Sequence, residues 1–77
     1  MPAIFSGPNW KITMYFRDHP PPHFHVVTSS REEAQVSIDS LSVMAGRVRP
    51  AILAAARDRA KMHAALLYEK WIGLHPT

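Results

Sequence analysis

The chain has 77 residues and no cysteine. That leaves room for one hydrophobic core and excludes disulfides and thiolate-ligated metals. Nine Lys and Arg against six Asp and Glu give a formal charge of +3, a mild excess that permits RNA, DNA or an acidic protein as partner and demands none of them. No stretch approaches the ~20 apolar residues of a membrane span. The opening Met1-Pro2-Ala3-Ile4-Phe5 has neither the basic region nor the long apolar run of a signal peptide, so a cytoplasmic protein is expected.

The first half of the chain reads as strands. Ala3 to Phe5 is a short apolar run, and Ser6-Gly7-Pro8-Asn9 is a turn cluster. Trp10, Ile12, Met14 and Phe16 then alternate with Lys11, Thr13, Tyr15 and Arg17, the pattern of a half-buried strand. His23 to Thr28 is a second strand candidate, with Phe24 and Val26 on one face and His23 and His25 on the other. Ser29 to Glu32 is a polar connection. Ala34, Val36 and Ile38 alternate with Gln35, Ser37 and Asp39 in a third strand. Leu41 to Ala45 follows, and Gly46 is expected to stop it. Consecutive strands this close should pair antiparallel.

The second half reads as helix. Pro50 stands where a first helical residue would be, and Ala51 to Ile72 contains no glycine or proline. Gly73 is the expected C-cap, with Pro76 beyond it. Ile52, Ala56, Ala60, His63, Leu67 and Trp71 recur at helical spacing and trace one apolar stripe, broadened by Leu53, Ala64 and Leu66. The expected fold is α+β in a single domain spanning 1–77. A small antiparallel sheet of three to five strands lies within 3–45, and one long helix over about 51–72 packs across one face. Met14, Met44 and Met62 are expected as core filler, and Trp10 and Trp71 as anchors between sheet and helix. For so short a chain, a homodimer is one way to gain buried surface.

The segment Asp18-His19-Pro20-Pro21-Pro22-His23-Phe24-His25-Val26 carries three of the five histidines. Proline fixes φ and pushes the preceding residue out of the helical region, so this segment is stiff and extended. In a strand, His23 and His25 share one face about 7 Å apart at Cα. Two orientations follow. If Phe24 and Val26 enter the core, the two imidazoles join Tyr15, Arg17 and His19 on an open face suited to phosphate, nucleic acid or a partner protein. The burial gained by Phe24 favours this arrangement. In the opposite orientation the pair meets His63 from the helical stripe, or His19 from the proline segment, as ligands for zinc or iron. A histidine on an apolar stripe is more often a core residue with one hydrogen-bond partner, and that is the ordinary expectation for His63.

The nine-residue stretch resembles the pattern D-H-x-P-P-H-F-H-V of a bacterial family of small proteins, domain-of-unknown-function family 4160. The resemblance extends to Met1-Pro2, Gly7, Tyr15-Phe16, Ile38, Leu41, Gly46, Pro50, Ala60, His63, Leu66, Leu67 and Trp71. Arg59 departs from it, because many members carry tryptophan there. The resemblance implies a small protein often encoded beside a second one in pairs that look like toxin–antitoxin modules. It transfers no catalytic residue.

Three functions compete on these residues. The first is a binding component of a toxin–antitoxin-like pair, holding a cognate small protein or a nucleic acid on the face of Tyr15, Arg17, His19, His23 and His25. The second is a metal-free ribonuclease toxin. In it two of His19, His23 and His25 act as base and acid, and Arg17, Lys11 or Arg47 stabilises the phosphorane. The third is a metal-binding protein with ligands drawn from His23, His25, His63 and His19. DNA binding through Arg57 and Lys61 ranks lowest, since no helix-turn-helix precedes that helix.

Overall fold

The computed structural model describes residues 3–75, so Met1, Pro2 and the expected helix-terminating Pro76 lie outside them. Five strands form one antiparallel sheet in chain order: β1 (Phe5–Gly7), β2 (Trp10–Thr13), β3 (His23–Thr28), β4 (Glu33–Ser37) and β5 (Val43–Arg47). Two helices follow, α1 (Pro50–Met62) and α2 (Ala64–Leu74). Among the described residues, no helix is long and apolar enough to cross a membrane.

The turn chemistry sets the hairpins. Gly7 lies opposite Trp10, so Pro8 and Asn9 make the tip of the first one, and Asn9 takes a positive φ of 68° that its short polar side chain tolerates. A Cβ at position 7 would run into the Trp10 indole, which lies over the glycine. In the β3–β4 turn the Thr28 hydroxyl accepts the Glu32 N–H at 3.0 Å and pairs with Ser30. The β4–β5 turn is tied to α1 by the Arg57 guanidinium, which donates to the Leu41 carbonyl at 2.8 Å.

Register divides the sheet into two chemistries. On one face Phe5, Ile12, Val26 and Ala34 form a cross-strand row, with Phe24 opposite Val36 beside it. Ile12, Val26, Ala34, Phe24 and Val36 are buried in one cluster with Ala56, Ala60, Leu67 and Trp71 of the helices. Cross-strand neighbours share a face, so the other face carries Lys11, Val27, Glu33 and Arg47 in one row and Thr13, His25 and Gln35 in the next, with His23 opposite Ser37.

Several expectations are corrected. The single long helix is two, broken at His63, whose φ of −127° and ψ of 30° are not helical. The buried stripe nevertheless runs through the break, from Ala56 and Ala60 to Leu67 and Trp71. The strand expected from the alternation of Trp10 to Arg17 ends at Thr13 because a tight turn, with the Asp18 N–H donating to the Tyr15 carbonyl, reverses the chain. Phe16 is left 62% exposed on that turn. Gly46 does not stop the last strand, which runs past the expected limit at 45 to Arg47. Gly46 lies inside that strand at a φ of 74°, where a Cβ would run into the Glu33 carbonyl oxygen. Met44 is not core filler, since the register skips it between Ala45 and Val43 as the extra residue of a bulge. Met62, at the end of α1, is 77% exposed. Gly73 lies within α2, and His75 caps that helix instead through its N–H to the Ile72 and Trp71 carbonyls.

Candidate functional site

Phe24 and Val26 enter the core, as the first orientation requires, and His23 and His25 are on the opposite face. That face is not open at the histidines. Both residues are only 4% exposed. Tyr15 packs edge-on against His25 with ring centroids 4.6 Å apart, and Trp71 of α2 reaches His23 at 5.2 Å. His75, stacked on Trp71 at 3.8 Å, faces the Tyr15 carbonyl with its Nε2 at 3.1 Å and so joins the end of α2 to the turn after β2.

The polar partners of the two rings come from three places. Asp18 closes the Tyr15–Asp18 turn, where its Oδ2 accepts the Tyr15 N–H at 3.1 Å and its Oδ1 is turned toward the histidines. His25 faces that Oδ1 through Nε2 at 2.9 Å and Glu33 Oε2 through Nδ1 at 2.6 Å. Donating at both nitrogens requires the ring to carry both protons. His23 donates from Nδ1 to the Pro21 carbonyl at 2.8 Å, which leaves its Nε2 directed at Asp18 Oδ1 from 3.7 Å. The proline segment thus supplies the carbonyl that sets the His23 tautomer. Its Pro20–Pro21 bond is cis.

One oxygen of Asp18 and one nitrogen each of His23 and His25 lie within 4.8 Å of one another. Burial raises the pKa of the Asp18 carboxyl. The hydrogen bonds from His25 and the Tyr15 N–H, with the charges of His25 and His23, outweigh it, and the group titrates below its ordinary 3.8. The Tyr15 phenol is pushed above its ordinary 10.0 by burial and then by the charges of Glu33 and Asp18. It is a neutral donor across the physiological range.

The sequence-derived candidates separate into two groups. His23, His25 and the half-buried Tyr15 come together. Arg17 on the turn and His19 just after it are exposed, with the Arg17 guanidinium over Phe16 at 5.6 Å. His63 does not approach the strand pair and packs against Phe5 with ring centroids 4.8 Å apart. Among the described residues, the cluster able to hold a cation is completed by Asp18, not by His63 or His19.

Asp18 and Glu33 carry roles that residue patterning did not assign. Asp18 opens the proline–histidine motif, and its distance from His25 is closed only by the turn. Glu33 is legible once the β3–β4 register is known: it lies opposite Val27, diagonal to His25 on the same face.

The fold and site together define a small α+β domain with a buried imidazole–carboxylate centre. Comparison with family models identifies the family: residues 9–72 match the domain of unknown function DUF4160, and the chain belongs to it. Searches of curated proteins and of solved structures give no match.

Proposed function

We propose that this protein binds a divalent transition-metal ion through Asp18, His23 and His25. The observation that supports it best is the way each imidazole is held. His23 gives its Nδ1–H to a backbone carbonyl and His25 gives its own to Glu33, while both Nε2 atoms are turned toward Asp18 Oδ1. Metal-ligating histidines are held in this way, with the second nitrogen donating to a carbonyl or carboxylate that fixes the tautomer. Ligand atoms sharing an ion at about 2.1 Å stand roughly 3–3.4 Å apart. The 2.9 and 3.7 Å separations to Asp18 Oδ1 need only small adjustment to meet that range. A ligating nitrogen must give up any proton it carries, so binding should weaken as pH falls. Two imidazoles and one carboxylate without thiolate suit zinc or ferrous iron.

Elemental analysis and calorimetric titration of chelator-treated, untagged protein test this reading. One equivalent of Zn²⁺ or Fe²⁺ is expected, with His23→Ala, His25→Ala and Asp18→Ala each abolishing tight binding and His63→Ala leaving it unchanged. Less than about 0.1 equivalent bound by the wild type overturns it.

A second reading keeps the protein partner that the family resemblance implies, and the sheet edge favours it. All five residues of β5 are exposed, and β5 is an edge strand of the sheet. A strand of the neighbouring gene product would add there through main-chain hydrogen bonds. Titration of the two purified proteins checks it, and no association at about 100 μM rejects it. The ribonuclease reading gains nothing from the geometry, because neither buried ring is presented to an RNA backbone.

A further inference from the structure

Thr13 is 1% exposed, and its Oγ1 has no hydrogen-bond partner among the described residues. An unpaired buried hydroxyl is destabilising, and valine would fill the same volume in a strand without that penalty. The position of this hydroxyl gives it a use. Thr13 lies directly opposite His25 in the β2–β3 register, so the two side chains share a face with Cβ atoms about 4.5–5.5 Å apart. Two residues on, the Tyr15 N–H is held by Asp18. Thr13 is therefore next to one proposed ligand across the sheet and close along the chain to the turn that carries another.

Three protein ligands do not complete the shell of a zinc or iron ion. A tetrahedral site keeps one further position and an octahedral site three. Resting on the metal reading above, we propose that the Asp18–His23–His25 centre is an open one. It takes a small monodentate ligand, water or a compact anion, and the Thr13 hydroxyl holds that ligand by a hydrogen bond. Thr13 is then a positioning residue for the exogenous ligand and not itself a metal ligand. A closed structural site would have no such use for the hydroxyl.

The test uses the full chain loaded with Co²⁺, whose visible absorption reports its coordination, titrated with azide. Saturable spectral change is expected in the wild type. Thr13→Val should weaken azide binding about tenfold while Co²⁺ affinity stays within about twofold, and Thr13→Ser should retain azide affinity. If Thr13→Val does not fold, Thr13→Ala against Thr13→Ser carries the same comparison. Stoichiometric Co²⁺ whose spectrum azide leaves unchanged overturns the open centre and spares the metal reading. Equal azide affinity with and without the hydroxyl overturns the role of Thr13. Failure to bind Co²⁺ at all overturns the metal reading and this proposal with it.

Discussion

Strand β3 buries both of its faces, and the two are buried by different physics. Phe24 and Val26 are covered by apolar neighbours from the sheet and the helices, so their contribution is transfer from water and close packing. His23 and His25 are just as inaccessible, but every buried nitrogen must be matched by an oxygen. The Pro21 carbonyl, Asp18 and Glu33 supply them. Hydrophobic burial tolerates many sequences, because any well-shaped apolar group serves. The polar face is particular: change one partner and another is left unpaired in a site with little water.

The largest effect should come from the apolar face. Phe24→Ala removes a fully buried ring at the centre of the cluster and should cost about 3–5 kcal/mol in chemical denaturation. His25→Ala should cost less, about 1–3 kcal/mol, since it deletes little apolar area but strips a hydrogen bond from both Asp18 and Glu33. The two losses should differ in kind as well. Asp18→Ala made together with His25→Ala should cost clearly less than the sum of the two single changes, because the carboxylate no longer faces a lost partner. Strict additivity would mean that the polar face is not a coupled unit.

The pH dependence separates the faces further. The folded-state pKa of Asp18 lies below its ordinary 3.8. A lowered carboxylate pKa means that the unfolded chain binds the proton more readily. The stabilisation is therefore fully present above that ordinary value and is lost as pH falls through the folded pKa. Asp18→Asn should be less stable than wild type near neutral pH and converge with it in acid, when denaturation midpoints are followed from pH 7 to about 2 without added metal. Phe24→Ala should show a gap to wild type that pH leaves unchanged. A gap for Asp18→Asn that persists at the acid end would show that the carboxylate's charge is not what stabilises this face.

The same contrast explains what could be read from sequence. Apolar burial has a period, so the alternation in β2, β3 and β4 and the stripe from Ala56 to Trp71 were legible in advance. Proline at the start of α1 is likewise a local rule. The break at His63 has no such signal: Lys61-Met62-His63-Ala64 contains no glycine or proline, and the ring at position 63 answers to Phe5 from β1, far away in sequence. The bulge at Met44 depends on the pairing between β4 and β5, which no property of Met44 announces. In the candidate site the His23 and His25 pair was visible as a motif. Its partners were not, because Asp18 arrives by a turn and Glu33 by cross-strand register. His63 shares the apolar stripe, a periodicity that says which face a residue occupies and nothing about which strand it meets.

The smallest stability effect is expected at Glu33, and there the comparison is sharpest. Its side chain is 45% exposed while the His25 ring it holds is buried. Solvent can replace much of what the carboxylate gives, so Glu33→Gln should cost no more than about 1 kcal/mol of folding stability. Its effect on the centre should be far larger than that figure suggests. A carboxylate behind a ligating imidazole fixes the tautomer and raises the basicity of the nitrogen that meets the ion. Losing one typically weakens metal binding about 10- to 100-fold. Glu33→Gln should therefore separate the two quantities, with a near-wild-type denaturation curve and a metal affinity reduced by at least tenfold in calorimetry. If the variant loses stability on the scale of His25→Ala and its metal affinity is unchanged, Glu33 belongs to the packing of the sheet. The imidazoles would then be buried for structure, and their Nε2 atoms would have no ion to serve.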